Sequence, residues 1–237
     1  MRSMHLYLVR KLFAALAFGM AAAGGQAVAQ VAPSATEAAA YTGLHAAAQT
    51  GDIAKIDRLA AAKADLNARD GNGRTPLHIA TFAGQREAIE ALVKRGADIN
   101  LLDKDRYDGV TIAAVANDEE TLRVLLAQGA SAKLVTSRYD GTALIAAAHL
   151  GHEGVVKQLI AAGAPLNHVN NLHWTAAIEA VVLGDGGVGH QQTLRALINA
   201  GANLQLTDRQ GNTPLQIARS RGYTEMVLML ERAGKAG

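Results

Sequence analysis

Between Asp70 and Asn100 the apolar positions recur with a helical rather than an extended period. Leu77, Ile79 and Ala80 form one narrow stripe and Ile89, Leu92 and Val93 a second, with Gly84 between the two and Gly96 after them. Thr75 has the oxygen to cap the orphan N–H groups of a helix, and Pro76 suits its first position, where a missing N–H costs nothing. Gly84 and Gly96 can take the left-handed conformation that ends a helix. The pattern predicts two short antiparallel helices, a unit too small to bury its own apolar faces, so it requires neighbours of the same kind.

The neighbours are in the chain. Thr75 falls on Thr42, Asp108, Thr142, Thr175 and Thr213, at steps of 33, 33, 34, 33 and 38 residues. The second-helix terminator keeps step at Lys63, Gly96, Gly129, Gly163, Gly201 and Gly234. With Thr75-Pro76-Leu77-His78, Thr213-Pro214-Leu215-Gln216, Gly-Ala-Asp-Ile-Asn at 96–100, Ala-Asp-Leu-Asn at 64–67 and Gly-Ala-Asn-Leu at 201–204, the chain resembles the ankyrin-repeat family from about residue 40 onward. The resemblance implies an all-α solenoid of about six stacked helix pairs with short β-hairpin fingers along one edge, used for binding proteins and not for catalysis. The expected repeats are approximately 41–69, 70–102, 103–136, 137–169, 170–207 and 208–237.

Several repeats depart from the pattern. Asp108-Gly109-Val110-Thr111 stands where Thr-Pro-Leu-His is expected, and Asn117 replaces the terminating glycine, so repeat three has weak local preferences. Repeat five carries about five extra residues around Gly184 to His190, read as a flexible loop between its helices. That loop lacks the Lys-Ser/Thr of a phosphate cradle and contains Asp185, which repels phosphate.

Two sets of residues form the expected partner-binding surface. The residue before each repeat's opening Thr or Asp, on the finger and facing solvent by resemblance, is Tyr41, Arg74, Tyr107, Gly141, Trp174 or Asn212. The residues just before the first-helix terminator face the concave side in the family, and in repeats two to five they include Phe82, Val115, Leu150, Val182 and Leu183. Together they predict an apolar strip flanked by Tyr41, Arg74, Tyr107 and Trp174, with polar Gln49-Thr50 and Ser220-Arg221 at its ends. The alternative is that the aromatic side chains fill gaps between fingers. A rival function, metal or small-ligand binding, would rest on His149, His152, His168 and His173, although no Cys or His-Glu-x-x-His spacing accompanies them. His45 and His78 share one repeat position, which the resemblance assigns to backbone hydrogen bonds between adjacent loops. No serine, threonine or acid pair stands in the context of a nucleophile, so neither enzyme activity nor a cofactor is expected.

Composition agrees with a solenoid of small side chains: 237 residues, no cysteine, 49% hydrophobic and 4% aromatic. Residues 1–29 read as a cleaved signal peptide, with basic Arg2, Arg10 and Lys11, an apolar stretch from Leu12 to Ala23 too short to span a bilayer, and a small-x-small site at Ala27-Val28-Ala29. Residues 30–40 read as a flexible lead and 41–237 as the repeat domain. The leader holds three basic residues and no acid, so its removal leaves 20 basic against 21 acidic residues, a poor balance for nucleic acid or an anionic membrane. The expected product is a monomeric periplasmic module that binds a partner protein. It is similar to small exported bacterial ankyrin-repeat proteins, some of which are associated with oxidative-stress defence.

Overall fold

The computed structural model describes residues 31–236. The expected leader lies outside the described residues. The chain divides into two units, one ending at Tyr41 and the other starting at Thr42. Within the first, the lead segment forms a helix, α1 (Ala35–Ala40), because Ser34 and Glu37 make a reciprocal capping box: Glu37 N donates to Ser34 Oγ at 3.2 Å, and Ser34 N to Glu37 Oε2 at 2.8 Å.

The second unit is six helix pairs: α2 (Gly43–Thr50) with α3 (Ile53–Ala61), α4 (Pro76–Phe82) with α5 (Arg86–Lys94), α6 (Gly109–Val115) with α7 (Glu119–Ala127), α8 (Ala143–Leu150) with α9 (Glu153–Ala161), α10 (Ala176–Val182) with α11 (Val188–Asn199), and α12 (Pro214–Ser220) with α13 (Thr224–Ala236). First helices pack on first helices and second on second, each pair touching the next. Thr75, Asp108, Thr142, Thr175 and Thr213 all cap their helices as expected; Thr42 makes no side-chain cap bond. Asn117 and Lys63 take the left-handed backbone in place of glycine, with φ 52° and 59°. Asn tolerates it through its short polar side chain, whereas for Lys63 it carries a steric cost.

Two ladders of side chains set the spacing. Ala47, Ala80, Ala113, Ala147, Ala180 and Ala218 occupy the same place in successive first helices and are all buried, which lets the helices approach closely. Leu92, Leu125, Leu159, Leu197 and Leu230 do the same in the second layer with larger apolar side chains, and all five are buried. The fingers contain no strand among the described residues. A single isolated bridge, Thr136 to Gly141, is their one extended pairing there, so the expected β-hairpins are hydrogen-bonded turns instead.

Candidate protein-binding surface

One side chain ties each such turn. The backbone N–H groups of Asn72 and Arg74 donate to Asp70 Oδ1 at 2.8 and 2.9 Å, and those of Asp105 and Tyr107 to Asp103 Oδ1 at 2.9 Å each. Leu172 and Trp174 do the same with Asn170 Oδ1, and Gln210 and Asn212 with Asp208 Oδ1. The carbonyls of Arg74, Tyr107 and Trp174 accept in return from the N–H of Asp70, Asp103 and Asn170. Histidine joins one repeat to the next, with His45 Nε2 3.0 Å from the Arg74 carbonyl and His78 Nε2 3.0 Å from that of Tyr107.

These ties correct the expected finger surface. Arg74 is 2% exposed, Tyr107 4% and Trp174 9%, so none faces solvent. Bonded at both N–H and C=O, each is drawn into the seam between repeats, and Arg74 also donates from Nε to Asp70 Oδ2 at 2.7 Å. Burial, with Asp105 and Asp103 nearby, pushes the Tyr107 phenol up to about 12. Tyr41 belongs to the first unit and the other three to the second. The gap-filling alternative therefore describes Tyr107 and Trp174.

The apolar strip is accessible. Phe82, Val115, Leu150, Val182 and Leu183 are all only partly buried, at the C-terminal ends of α4, α6, α8 and α10, and the stacking of these helices sets them in a row. In that row His149 occupies the place held by Phe82, Val115 and Val182 in their repeats.

Its ring leads inward. His149 Nδ1 lies 3.2 Å from Oε2 of Glu179, which is 1% exposed, and Asn170 Nδ2 donates to Glu179 Oε1 at 3.2 Å. Burial raises the Glu179 carboxyl above the usual range, against the opposing pull of His149 and Asn170. Glu179 and Asn170 escaped the sequence reading, although aligned repeats carry the signal. Glu179 stands where the others have Ala46, Ile79, Ile112, Ala146 and Ile217, and Asn170 where three have Asp70, Asp103 and Asp208.

The four candidate metal-ligating histidines do not converge. His168 Nε2 lies 2.6 Å from the Asp140 carbonyl, His152 Nδ1 3.0 Å from that of Ala114, and His173 is exposed. Among the described residues no group of three or more His, Asp or Glu is placed to hold a metal. His190 from the insertion joins His149 instead, with Nε2 3.0 Å from the His149 carbonyl and Nδ1 2.9 Å from Asp185 Oδ1. The insertion is well tied: the Tyr223 hydroxyl donates to the Gly184 carbonyl at 2.8 Å, and a Cβ at Gly184 would lie 2.2 Å from the Ala180 carbonyl oxygen. No described helix is long and apolar enough to cross a membrane.

Known proteins with this architecture are numerous. The family profile described as ankyrin repeats (3 copies) matches residues 12–103 and 110–208, and one described as ankyrin repeats (many copies) matches 189–231. YahD of Escherichia coli (strain K12), described as an ankyrin repeat protein, is 40% identical over 99 residues; the match takes in 41% of this chain and spans about half, 49%, of that relative. An ankyrin repeat domain from Acinetobacter baumannii AYE superposes with a TM-score of 0.76 at 45% identity, covering 81% of this chain and 97% of that one. A chain from the complex of the Bdellovibrio bacteriovorus predatory endopeptidase Bd0816 with the immunity protein Bd3460 gives 0.63 at 25% identity, covering 81% and 98%. Ankyrin repeats serve as scaffolds for protein–protein interaction and are in general not catalytic. The six-pair stack, its capping residues and these matches together make this chain a member of the ankyrin-repeat family.

Proposed function

We propose that the protein is an exported, non-catalytic module that holds a partner protein against the row Phe82, Val115, Leu150, Val182 and Leu183. One observation carries the reading: an apolar row, accessible at the ends of four adjacent helices, runs between the polar Gln49-Thr50 and Ser220-Arg221. Large apolar side chains set out in a line with a polar rim mark an interaction site. A chain of similar fold occurs in a complex of an endopeptidase with its immunity protein, which supports a protein as the occupant of the row. Export rests on residues 1–29, and a periplasmic location follows from it. The family resemblance extends the role to oxidative-stress defence, which peroxide sensitivity of a strain lacking the protein tests separately.

The deciding experiment captures partners from a periplasmic extract with the tagged protein and with Val182→Asp/Leu183→Asp. Two charges in the row are expected to weaken capture at least about tenfold with helicity unchanged. A partner retained equally by the double variant removes the row from the function. Intact mass of the exported chain checks cleavage after Ala29, and a product still beginning at Met1 overturns the export reading.

A further inference from the structure

In four of the repeats a side chain at or near the start of the second helix reaches back to a carbonyl at or near the end of the first helix one repeat earlier. Gln85 donates from Nε2 to the Gln49 carbonyl at 3.4 Å, His152 from Nδ1 to that of Ala114 at 3.0 Å, His190 from Nε2 to that of His149 at 3.0 Å, and Tyr223 from its hydroxyl to that of Gly184 at 2.8 Å. Gln85, His152 and Tyr223 each make the bond with one N–H or O–H. His190 differs, because its Nδ1 also lies 2.9 Å from Asp185 Oδ1 in the insertion.

The protonation of the His190 ring follows from these two partners. A carbonyl only accepts, so Nε2 carries a proton. Asp185 is a carboxylate: its side chain is 78% exposed, and the Gly187 N–H at 2.8 Å and the His190 ring hold it below the usual carboxylate range. Nδ1 must therefore donate as well, and only the imidazolium makes both bonds. A neutral ring turns a lone pair either toward the carboxylate or toward the carbonyl. The ring has little room to turn away, since a Cβ at Gly184 would lie 2.9 Å from it and one at Gly151 3.1 Å. Of the groups on the helices packed against α11, burial lowers His152 ahead of α9 and favours its neutral ring, and His149 of α8 is bonded to Glu179 of α10. Glu153 pairs with Lys157 on α9, Glu231 of α13 pairs with Arg219, and the Tyr223 ring ahead of α13 lies over Gly186.

We infer that His190 and Asp185 form a pH-sensitive latch on the insertion: the imidazolium holds residues 184–190 against the ends of α8 and α10, and loss of its second proton releases them. Imidazole changes charge between about pH 5 and 8. The closed loop is favoured at the acid end of that range and loosens as pH rises through it, the sign required of a bond that needs the charged ring. Leu183 of the exposed row directly precedes Gly184, so the latch governs the end of that row. The latch itself does not depend on what binds there.

Amide hydrogen exchange on the full chain, expressed as protection relative to the intrinsic rate at each pH, follows the loop directly. Protection over residues 185–190 is expected to fall about fivefold between about pH 5.5 and about pH 8.5. Its midpoint should coincide with the pH at which nitrogen NMR shows the His190 ring losing a proton. Asp185→Asn should remove the dependence, because an amide accepts from Gly187 with Oδ1 and donates from Nδ2 to a neutral ring. That variant leaves His149, Glu179 and His152 in place, so a step that arises from them would persist. Equal protection at both pH values, a midpoint apart from that of the His190 ring, or a fall that Asp185→Asn retains overturns the latch.

Discussion

His78 shows how much one buried side chain can do. Its Nδ1 accepts from Thr75 N at 3.1 Å and its Nε2 faces the Tyr107 carbonyl, a pattern met by the neutral ring protonated at Nε2. Burial lowers its pKa from 6.5 to about 4. The folded state therefore resists the proton that the unfolded chain accepts, so this contribution is complete above pH 6.5 and is lost as pH falls towards 4, by about 3 kcal/mol in all. Urea unfolding across that range should show the loss, and His78→Gln, the choice repeat six makes at Gln216, should flatten it. The finger aromatics carry a second prediction at this scale. Because Tyr107 and Trp174 are buried in the seams, Tyr107→Ala and Trp174→Ala should each destabilise by about 3 kcal/mol in denaturant titrations. Unchanged midpoints would mean that these rings contribute little to the seams.

The helix is the unit at which the alanine ladder acts. Ala113 is 1% exposed on α6, which packs against both α4 and α8, so no direction is open for a longer side chain. Ala113→Leu should cost roughly 1–3 kcal/mol by overpacking, read as a lower urea midpoint with an unchanged m-value. The insertion belongs to the same scale. Residues 184–190 read as flexible from their glycines, yet the structure uses those glycines for close approach, packing the segment between the Ala180 carbonyl and the Tyr223 ring. Composition alone does not separate a glycine that loosens a chain from one that lets two parts of it touch.

Across the whole second unit, stability is close to a sum of repeat and interface terms, so each repeat is held largely by its neighbours. The sixth repeat carries the polar Gln216, Arg219 and Glu231 where repeat two has His78, Thr81 and Val93, and Arg219 Nη2 donates to Glu231 Oε1 at 2.6 Å. Removing residues 208–237 would uncover the apolar sides of α10 and α11 against which α12 and α13 pack. The truncated chain is expected to self-associate, which light scattering would detect, and a stable monomer would show that the uncovered faces of α10 and α11 tolerate water.

The repeat number, the helix pairs and most of the caps were legible in the sequence because each depends on residues close in the chain: Thr75 beside Pro76 and His78, Gly84 nine residues on, and the same spacing six times. The apolar row was legible for the same reason, since a helix places Phe82, Val115 and Val182 once their caps are known. Tertiary structure alone decided which way the finger residues point. Arg74, Tyr107 and Trp174 turn inward because a carboxylate or amide four residues earlier holds the turn, joined for Arg74 and Tyr107 by a histidine 29 residues earlier. Tertiary structure alone also joined Asn170, Glu179 and His149: their separations of 9 and 30 residues have no local meaning until α8, α10 and the finger between them pack together.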